Sequence, residues 1–143
     1  MISTTERRLS CTGDSADAAS ATELLRLSPG MPDLAPTIFR RRLVIEGTCP
    51  APIAEDQMSL YLRTLSHVCG MRQLAEPVTH RSERYGWAGW IHWENSGAHF
   101  YAWDSPVPFF SVDIYTCKEF DVERVCGFTR SFFGALQIAA MAF

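Results

Sequence analysis

The sequence predicts an α+β fold, a two-layer sandwich in which helices cover one face of an antiparallel sheet. Two segments repeat apolar residues at helical spacing, and strand-like segments surround them in the order β-α-β-β-β-β-α-β. The chain has 143 residues, 47% of them hydrophobic, which is enough for one sizeable core. We therefore expect one domain over residues 37–143, preceded by a flexible arm over 1–36 that is rich in Ser, Thr, Ala, Asp and Pro.

The first strand and the first helix are predicted at the start of this domain. The segment Phe39–Gly47 ends in β-branched and apolar residues before a glycine, which favours a strand. The breaker Cys49–Pro52 follows, and its last proline is suited to begin a helix. From Met58 to Cys69 apolar residues recur at helical spacing, and Gly70 is predicted to end this helix.

Three strand-like segments come next. Leu74–His80 contains a proline, which restricts it to a sheet edge or a bulge, and Arg81–Gly86 is predicted to be a polar turn. The segments Trp87–Glu94 and Gly97–Trp103 are rich in aromatic residues and predict a β-hairpin around Asn95-Ser96.

A strand, a helix and an edge strand complete the predicted chain. Phe109–Thr116 alternates between two faces, one of which carries Asp113 and Tyr115. Asp121–Phe133 is apolar at helical spacing and is followed by a glycine that ends the helix. The short apolar segment Gln137–Phe143 is predicted to be a final edge strand.

Neither face of the predicted hairpin is simply polar. Trp90 and His92 alternate with Ile91 and Trp93, so large apolar side chains point to both sides. We therefore expect the face without helices to be covered by a second subunit, in a homodimer or other homo-oligomer. An aromatic ligand pocket on or beside that interface is compatible with this arrangement.

Composition excludes several functions. A net charge of -3 offers no basic surface for nucleic acid, and no apolar run reaches the length of about 18 residues that indicates a membrane span. The five cysteines form no CxxC pair, and no apolar leader is present, which predicts a reduced, cytoplasmic protein. The four histidines show no metal-ligand spacing, so we expect no metal and a small-molecule substrate.

The most distinctive strings are Gly86–Trp103 (GWAGWIHWENSGAHFYAW) and Val112–Cys117 (VDIYTC). They resemble the core of the bacterial S-adenosylmethionine decarboxylase family, which uses a pyruvoyl cofactor, and VDIYTC is the more specific match. The similarity extends from about Arg41 to Gly134. In that family a serine of the hairpin becomes the pyruvoyl group when the chain cleaves itself, and the group acts as an electron sink for decarboxylation.

The resemblance places the pyruvoyl serine at Ser96 and the family's proton-donating thiol at Cys117. A serine and a histidine that assist self-cleavage in the family fall on Ala88 and Tyr101. Alanine has no hydroxyl to stabilise the intermediate, and a phenol that ordinarily titrates near pH 10 is a poor base. The residues flanking the serine also differ, since asparagine replaces glutamate before it and Gly97 replaces histidine after it. We therefore expect no pyruvoyl cofactor.

The candidate catalytic residues are the ionisable and nucleophilic groups of the hairpin and the next strand, namely Glu94, Ser96, His99, Tyr101 and Cys117. The candidate ligand-binding residues are an aromatic enclosure with two polar groups, namely Trp90, His92, Trp93, Phe100, Trp103 and Asp113. Acidic and imidazole groups in such walls suit proton transfer. The same side chains also suit a purely structural role, since Trp and Tyr bury large apolar areas around one polar atom.

Three functions follow from this pattern. The first is a pyruvoyl-free relative that binds S-adenosylmethionine or another small amphipathic molecule and uses acid and base groups for elimination, cyclisation or rearrangement. The second is a working decarboxylase that derives pyruvoyl from Ser96, with His99 as a substitute base after a small register change. The third is a non-catalytic paralogue that acts as a partner or regulatory subunit. Sites rather than folds decide among them, and we favour the first.

Overall fold

The computed structural model describes residues 32–143, and predictions for residues 1–31 of the N-terminal arm lie outside this range. Residues Ile38–Phe143 form one compact unit. Its six strands and two helices, in chain order, are β1 (Arg41–Thr48), α1 (Glu55–Val68), β2 (Val78–Ser82), β3 (Gly86–Trp93), β4 (Ser96–Trp103), β5 (Phe109–Thr116), α2 (Val122–Phe133) and β6 (Gln137–Ala142). The predicted order of elements is confirmed.

All six strands form one antiparallel sheet in the order β2-β3-β4-β5-β1-β6. The hairpin β3-β4 and its neighbour β5 form a meander at the centre. β1 then pairs with β5, although the paired residues Arg41 and Thr116 lie 75 positions apart in the sequence (116 − 41). β6 pairs with β1 and forms the edge of the sheet that lies farthest from β2.

Both helices pack on the same face of the sheet and bury the core. Tyr61 of α1 is fully buried, and its hydroxyl lies 2.8 Å from Oγ1 of Thr129 in α2, which joins the two helices. Its ring also contacts Phe100 of β4 at 5.2 Å between centroids. The predicted helix-covered layer is therefore confirmed.

The ends of α2 explain why this segment is a helix of limited length. The Asp121 carboxylate accepts a 3.0 Å hydrogen bond from the backbone N–H of Arg124, which caps the first turn. Gly134 ends the helix in the left-handed conformation, with φ 55°, where a side chain would be strained.

The second strand differs from its prediction. β2 begins at Val78 instead of Leu74, because Pro77 lacks the N–H that a paired strand donates. The strand continues through Arg81 and Ser82, which were predicted to lie in the turn, and pairs with Gly86 and Trp87 of β3. β2 lies at the edge of the sheet, as the proline predicted.

The face of the sheet opposite the helices is called the open face below. Strand alternation gives it Trp90, His99, Asp113 and Val44, which lie opposite one another on β3, β4, β5 and β1. Within residues 32–143, no helix is both long and apolar enough to cross a membrane.

Candidate functional site

Three site residues form one row across the open face. Trp90, His99 and Asp113 lie directly opposite one another on β3, β4 and β5. Side chains in such positions have Cβ atoms roughly 4.5–5.5 Å apart, so an imidazole lies between an indole and a carboxylate. The sheet register therefore brings together an acid group, a base group and an aromatic wall.

The neighbouring row carries a glycine. His92, Gly97, Tyr115 and Arg42 lie opposite one another. All four line a cavity of about 270 Å³, called the hairpin pocket below. Its lining is Arg42, Ile91, His92, Ser96, Gly97, Ala98, His99, Asp113 and Tyr115.

One carboxylate oxygen in the hairpin pocket is buried without a partner. Oδ1 of Asp113 is shielded from solvent and has no hydrogen-bond partner among residues 32–143. A buried acceptor left in this state costs about 1–3 kcal/mol, and more when it is charged. Asp113 also lines the hairpin pocket, so the fold holds an unsatisfied acceptor on a residue of the pocket wall.

The pocket also carries positive charge. The guanidinium of Arg42 lies over the ring of Tyr115, 5.0 Å from the ring centroid. Arg42 is on β1, which pairs with the strand β5 that carries Asp113 and Tyr115. Arg42 is exposed, and its backbone exchanges hydrogen bonds with Phe143. Because Arg42 and Asp113 both line the pocket, it can contact both ends of a ligand that carries both charges.

An aromatic wall stands beside these polar groups. The rings of Trp90 and His92 lie on the same face of β3 with centroids 4.3 Å apart. His92 and His99 are exposed, whereas Trp90 is half-buried. This wall offers an apolar surface for a flat or amphipathic ligand.

Ser96 begins β4 at the end of the pocket. Its backbone has φ 141°, in the region that favours glycine, which costs of the order of 1–3 kcal/mol in a non-glycine residue. Ser96 pairs with Thr116, and the next residue, the exposed Cys117, donates its backbone N–H to the Asn95 carbonyl at 2.9 Å. The sheet therefore brings Cys117 beside the hairpin turn, next to the pocket.

Cys117 differs from the other thiols that the structure describes. Burial raises the pKa of Cys69 to about 12, and it also raises the pKa values of Cys49 and Cys126. A protonated thiol is a poor nucleophile, so these three side chains suit packing. Cys117 is the exposed cysteine within the described range.

Tyr101 and Trp103 lie at the other end of the hairpin. They line a cavity of about 330 Å³, called the aromatic pocket, together with Tyr85, Trp87 and Ala88. Tyr101 is 45% exposed, and its ring centroid lies 6.3 Å from that of Trp103. The open face thus separates the predicted site residues into two pockets.

Five predicted site residues line neither pocket: Trp90 and Cys117 lie beside the hairpin pocket, and Trp93, Phe100 and Glu94 lie elsewhere. Trp93 and Phe100 are buried on the helix-covered face. Strand alternation places them on the other side of the sheet from Trp90 and His99. Trp93 donates its indole N–H to Oγ of Ser66 at 2.7 Å. Glu94 lies in the exposed turn at 3.6 Å from Arg72. The four aromatic residues predicted to form one enclosure therefore do not form it. Trp90 and Trp103 lie in different regions of the open face, and Trp93 and Phe100 lie in the core.

Five lining residues of the hairpin pocket were not among the predicted site residues: Arg42, Ile91, Gly97, Ala98 and Tyr115. Alternation along β5 places Tyr115 on the same face as Asp113, so the sequence carried a signal that could have added it to the predicted site. Arg42 was not predictable in this way, because its position depends on the long-range pairing of β1 with β5. Within residues 32–143, no cluster of three or more His, Cys, Asp or Glu side chains is arranged to hold a metal ion.

Fold and site together define a small α+β protein with acid, base and aromatic groups on the open face of its sheet. The chain belongs to the S-adenosylmethionine decarboxylase family, whose pattern matches residues 48–143. The fold is also that of the adenosylmethionine decarboxylase from Aquifex aeolicus VF5, with a TM-score of 0.60 and 13% sequence identity over 74% of this chain and 89% of that chain. No curated protein matches the sequence. The predicted family and fold are confirmed.

The residues around Ser96 do not fit the formation of a pyruvoyl group within one chain. Ala88 and Tyr101, onto which the resemblance places the family's processing serine and histidine, pair with each other on β3 and β4 and offer neither a hydroxyl like that of serine nor an imidazole. A Cβ atom at Gly97 would collide with the Ile91 carbonyl, so this backbone excludes the histidine that follows the family's serine.

Proposed function

We propose that this chain is a pyruvoyl-free S-adenosylmethionine decarboxylase-like protein. It binds S-adenosylmethionine or another small amphipathic molecule and uses acid and base groups for elimination, cyclisation or a similar rearrangement. The single observation that carries the proposal is the buried, unpartnered Oδ1 of Asp113 in the hairpin pocket. An acceptor held at such a cost supports a role in binding a ligand.

The two charges of the pocket orient the ligand. An ammonium, amide or hydroxyl group donates to Asp113, and an anionic group contacts the Arg42 guanidinium. The Trp90 ring beside His99 packs against the apolar part of the molecule. The pocket therefore favours a ligand with an apolar body and polar groups at two sides.

Proton transfer falls to His99. Its imidazole lies opposite Asp113, and a histidine can both accept and donate a proton near neutral pH. Asp113 orients the bound molecule, so the proton to be removed lies near the imidazole. Cys117 at the end of the pocket is the second candidate proton donor, because it is exposed and adjacent to the turn.

The chain acts as a homodimer or other homo-oligomer in the cytoplasm. Tyr101, Trp103 and Phe109 form a run of aromatic side chains on the open face, with ring centroids 6.3 and 5.3 Å apart. A second subunit covering this run would exclude water from the pockets. The four described cysteines are free, which supports a reducing compartment.

The first experiment is the intact mass of the denatured protein, with and without a carbonyl-trapping hydrazine. One unshifted species near 16.1 kDa is expected, because alanine and tyrosine stand at positions 88 and 101, where the resemblance places the processing serine and histidine. Two fragments divided before Ser96, with the C-terminal one shifted by hydrazine, would overturn the proposal and support a pyruvoyl-dependent decarboxylase.

The second experiment titrates the unprocessed protein with S-adenosylmethionine by calorimetry and analyses the mixture for products by mass spectrometry. Saturable binding with conversion of the ligand supports the proposed chemistry. Binding without conversion would favour the regulatory or partner role. No saturable binding would remove S-adenosylmethionine as the ligand and direct the titration to other small amphipathic molecules.

A further inference from the structure

The edge strand β6 has an unusual composition. From Gln137 to Phe143 the strand contains no charged residue and no proline (QIAAMAF), although 20% of the chain is charged. Leu136, Met141 and Phe143 are 64%, 62% and 58% exposed. Monomeric proteins protect such edges with charges, prolines or bulges, because an open edge pairs readily with another strand. β6 has none of these protections.

The direction of its backbone groups follows from its pairing with β1. Arg42 and Phe143 exchange two backbone hydrogen bonds, of 2.8 and 3.0 Å. In an antiparallel ladder the inward groups alternate with outward groups along the strand. The N–H and C=O groups of Ile138, Ala140 and Ala142 therefore point away from β1, and within residues 32–143 β1 is the only strand that pairs with β6.

We propose that β6 pairs antiparallel with β6 of a second copy of this chain, about a two-fold axis at Ala140. In this register Ala140 bonds to Ala140 of the partner subunit, and Ile138 bonds to Ala142 of the partner subunit. All three outward-facing residues then find partners, which gives about six hydrogen bonds. A two-fold axis at any other residue of β6 leaves at least one of the three unpaired.

The side chains support a second copy as the occupant. About this axis small residues face large ones, since Ile138 faces an alanine and Ala139 faces a methionine. Gln137 faces a phenylalanine, and no like charges oppose each other. A two-fold contact uses the same patch twice and must be self-complementary, which this strand is. The six-stranded sheet would continue without interruption into the partner's sheet.

This interface is distinct from a contact through the open face. An edge pairing adds the partner beside β6 in the plane of the sheet, so it leaves the open face and the hairpin pocket on it uncovered. The inference therefore does not depend on the proposed function. A protein that used both surfaces would form a tetramer, and loss of the edge pairing would halve any assembly.

The test uses charge at position 140, which faces itself across the axis. We expect Ala140→Lys and Ala140→Glu each to halve the mass of the wild-type assembly in native mass spectrometry, with circular dichroism confirming the fold. A 1:1 mixture of the two variants should restore the full assembly, because Lys then faces Glu. Leu60→Lys, at an exposed apolar position of α1, is the control and should leave the mass unchanged.

A monomeric wild-type protein, an unchanged mass in the Ala140 variants, or a mixture that fails to reassemble would each overturn the proposal. Hydrogen exchange of the wild-type protein gives an answer even if the variants do not fold. The amides of Ile138, Ala140 and Ala142 should lose protection on dilution, whereas the inward-facing amides of Ala139 and Met141 keep theirs. Equal loss in both sets, or no concentration dependence, would also overturn it.

Discussion

Asp113 and His99 lie directly opposite each other on β5 and β4, and the carboxylate presents a buried oxygen that no group in residues 32–143 satisfies. A fold stabilised only for its own sake would place an apolar side chain or a hydrogen-bonded one here. The relationship therefore combines a cost in stability with a gain in binding, and the two effects can be separated by mutation.

Asp113→Asn is expected to weaken ligand binding while leaving the free protein as stable or more stable. A hydrogen bond to a charged group contributes about 1.5–3 kcal/mol, so the dissociation constant for S-adenosylmethionine should rise by roughly 10- to 150-fold. Loss of the buried charge removes a desolvation penalty from the folded state. Calorimetric titration and thermal unfolding of the same sample measure the two effects.

Glu46→Gln is the matched control for this variant. Glu46 is an exposed carboxylate on β1, lies on the same open face and is outside the lining of the hairpin pocket. Its substitution should change neither the affinity nor the unfolding temperature appreciably. Equal weakening of binding by both substitutions would mean that the ligand responds to the overall charge of the face and not to the Asp113 oxygen.

Much of the fold was predictable from local patterns, because each helix and strand shows its period within a few residues. The helix over Met58–Cys69 and the hairpin around Asn95-Ser96 depend on spacing and turn residues alone. Alternation along one strand also predicted that Asp113 and Tyr115 share a face. These parts of the structure need no knowledge of distant contacts.

The composition of the pocket was less predictable, because it depends on pairings between distant strands. Arg42 enters the site only through the pairing of β1 with β5. Trp93 and Phe100 looked like ligand-binding residues because aromatic side chains suit both a core and a pocket. Which face carries the helices decides between these roles, and that decision requires the register of the whole sheet.

Two glycines are expected to respond in opposite directions to replacement by alanine. A Cβ atom at Gly97 would collide with the Ile91 carbonyl, whereas Gly127 in the middle of α2 has open space around it. Gly97→Ala should destabilise the protein by about 1–3 kcal/mol, since backbone atoms must move. Gly127→Ala should stabilise it by roughly 0.5–1 kcal/mol through helix propensity. Chemical denaturation measures both changes.

A Gly97→Ala protein as stable as the wild type would contradict the close approach of the Ile91 carbonyl to this position. The Gly127 variant controls for the general effect of adding a methyl group. Because α2 lies on the opposite side of the sheet from the pocket, its substitution should leave ligand binding unchanged.

Cys117 is expected to react with a maleimide faster than the other described cysteines by at least about tenfold. The thiolate is the reactive form, and burial both shields Cys69 and raises its pKa to about 12. Below pH 12 its thiol therefore stays mostly protonated, so labelling at pH 7 to 9 should leave it unmodified. Peptide mapping of the native protein, in a Cys11→Ser background, assigns each labelled site.

The same labelling in denaturant provides the comparison, since unfolding should make all four remaining cysteines react at similar rates. Rapid labelling of Cys69 in the native protein would show that the α1 face of the core opens readily. That result would contradict the packing described around Tyr61 and Leu65, which are fully buried.

Ser66→Ala is expected to cost about 1–3 kcal/mol, because it leaves the buried indole N–H of Trp93 without its acceptor. For a domain of this size that loss lowers the unfolding temperature by roughly 5 °C per kcal/mol. Ser59→Ala, which removes a weaker 3.5 Å contact to Glu55 on the same helix, should have a much smaller effect. Both variants should bind ligand with the affinity of the wild-type protein, because Trp93 points to the helix-covered face. Reduced affinity in Ser66→Ala alone would contradict this and show that Trp93 contributes to the ligand site.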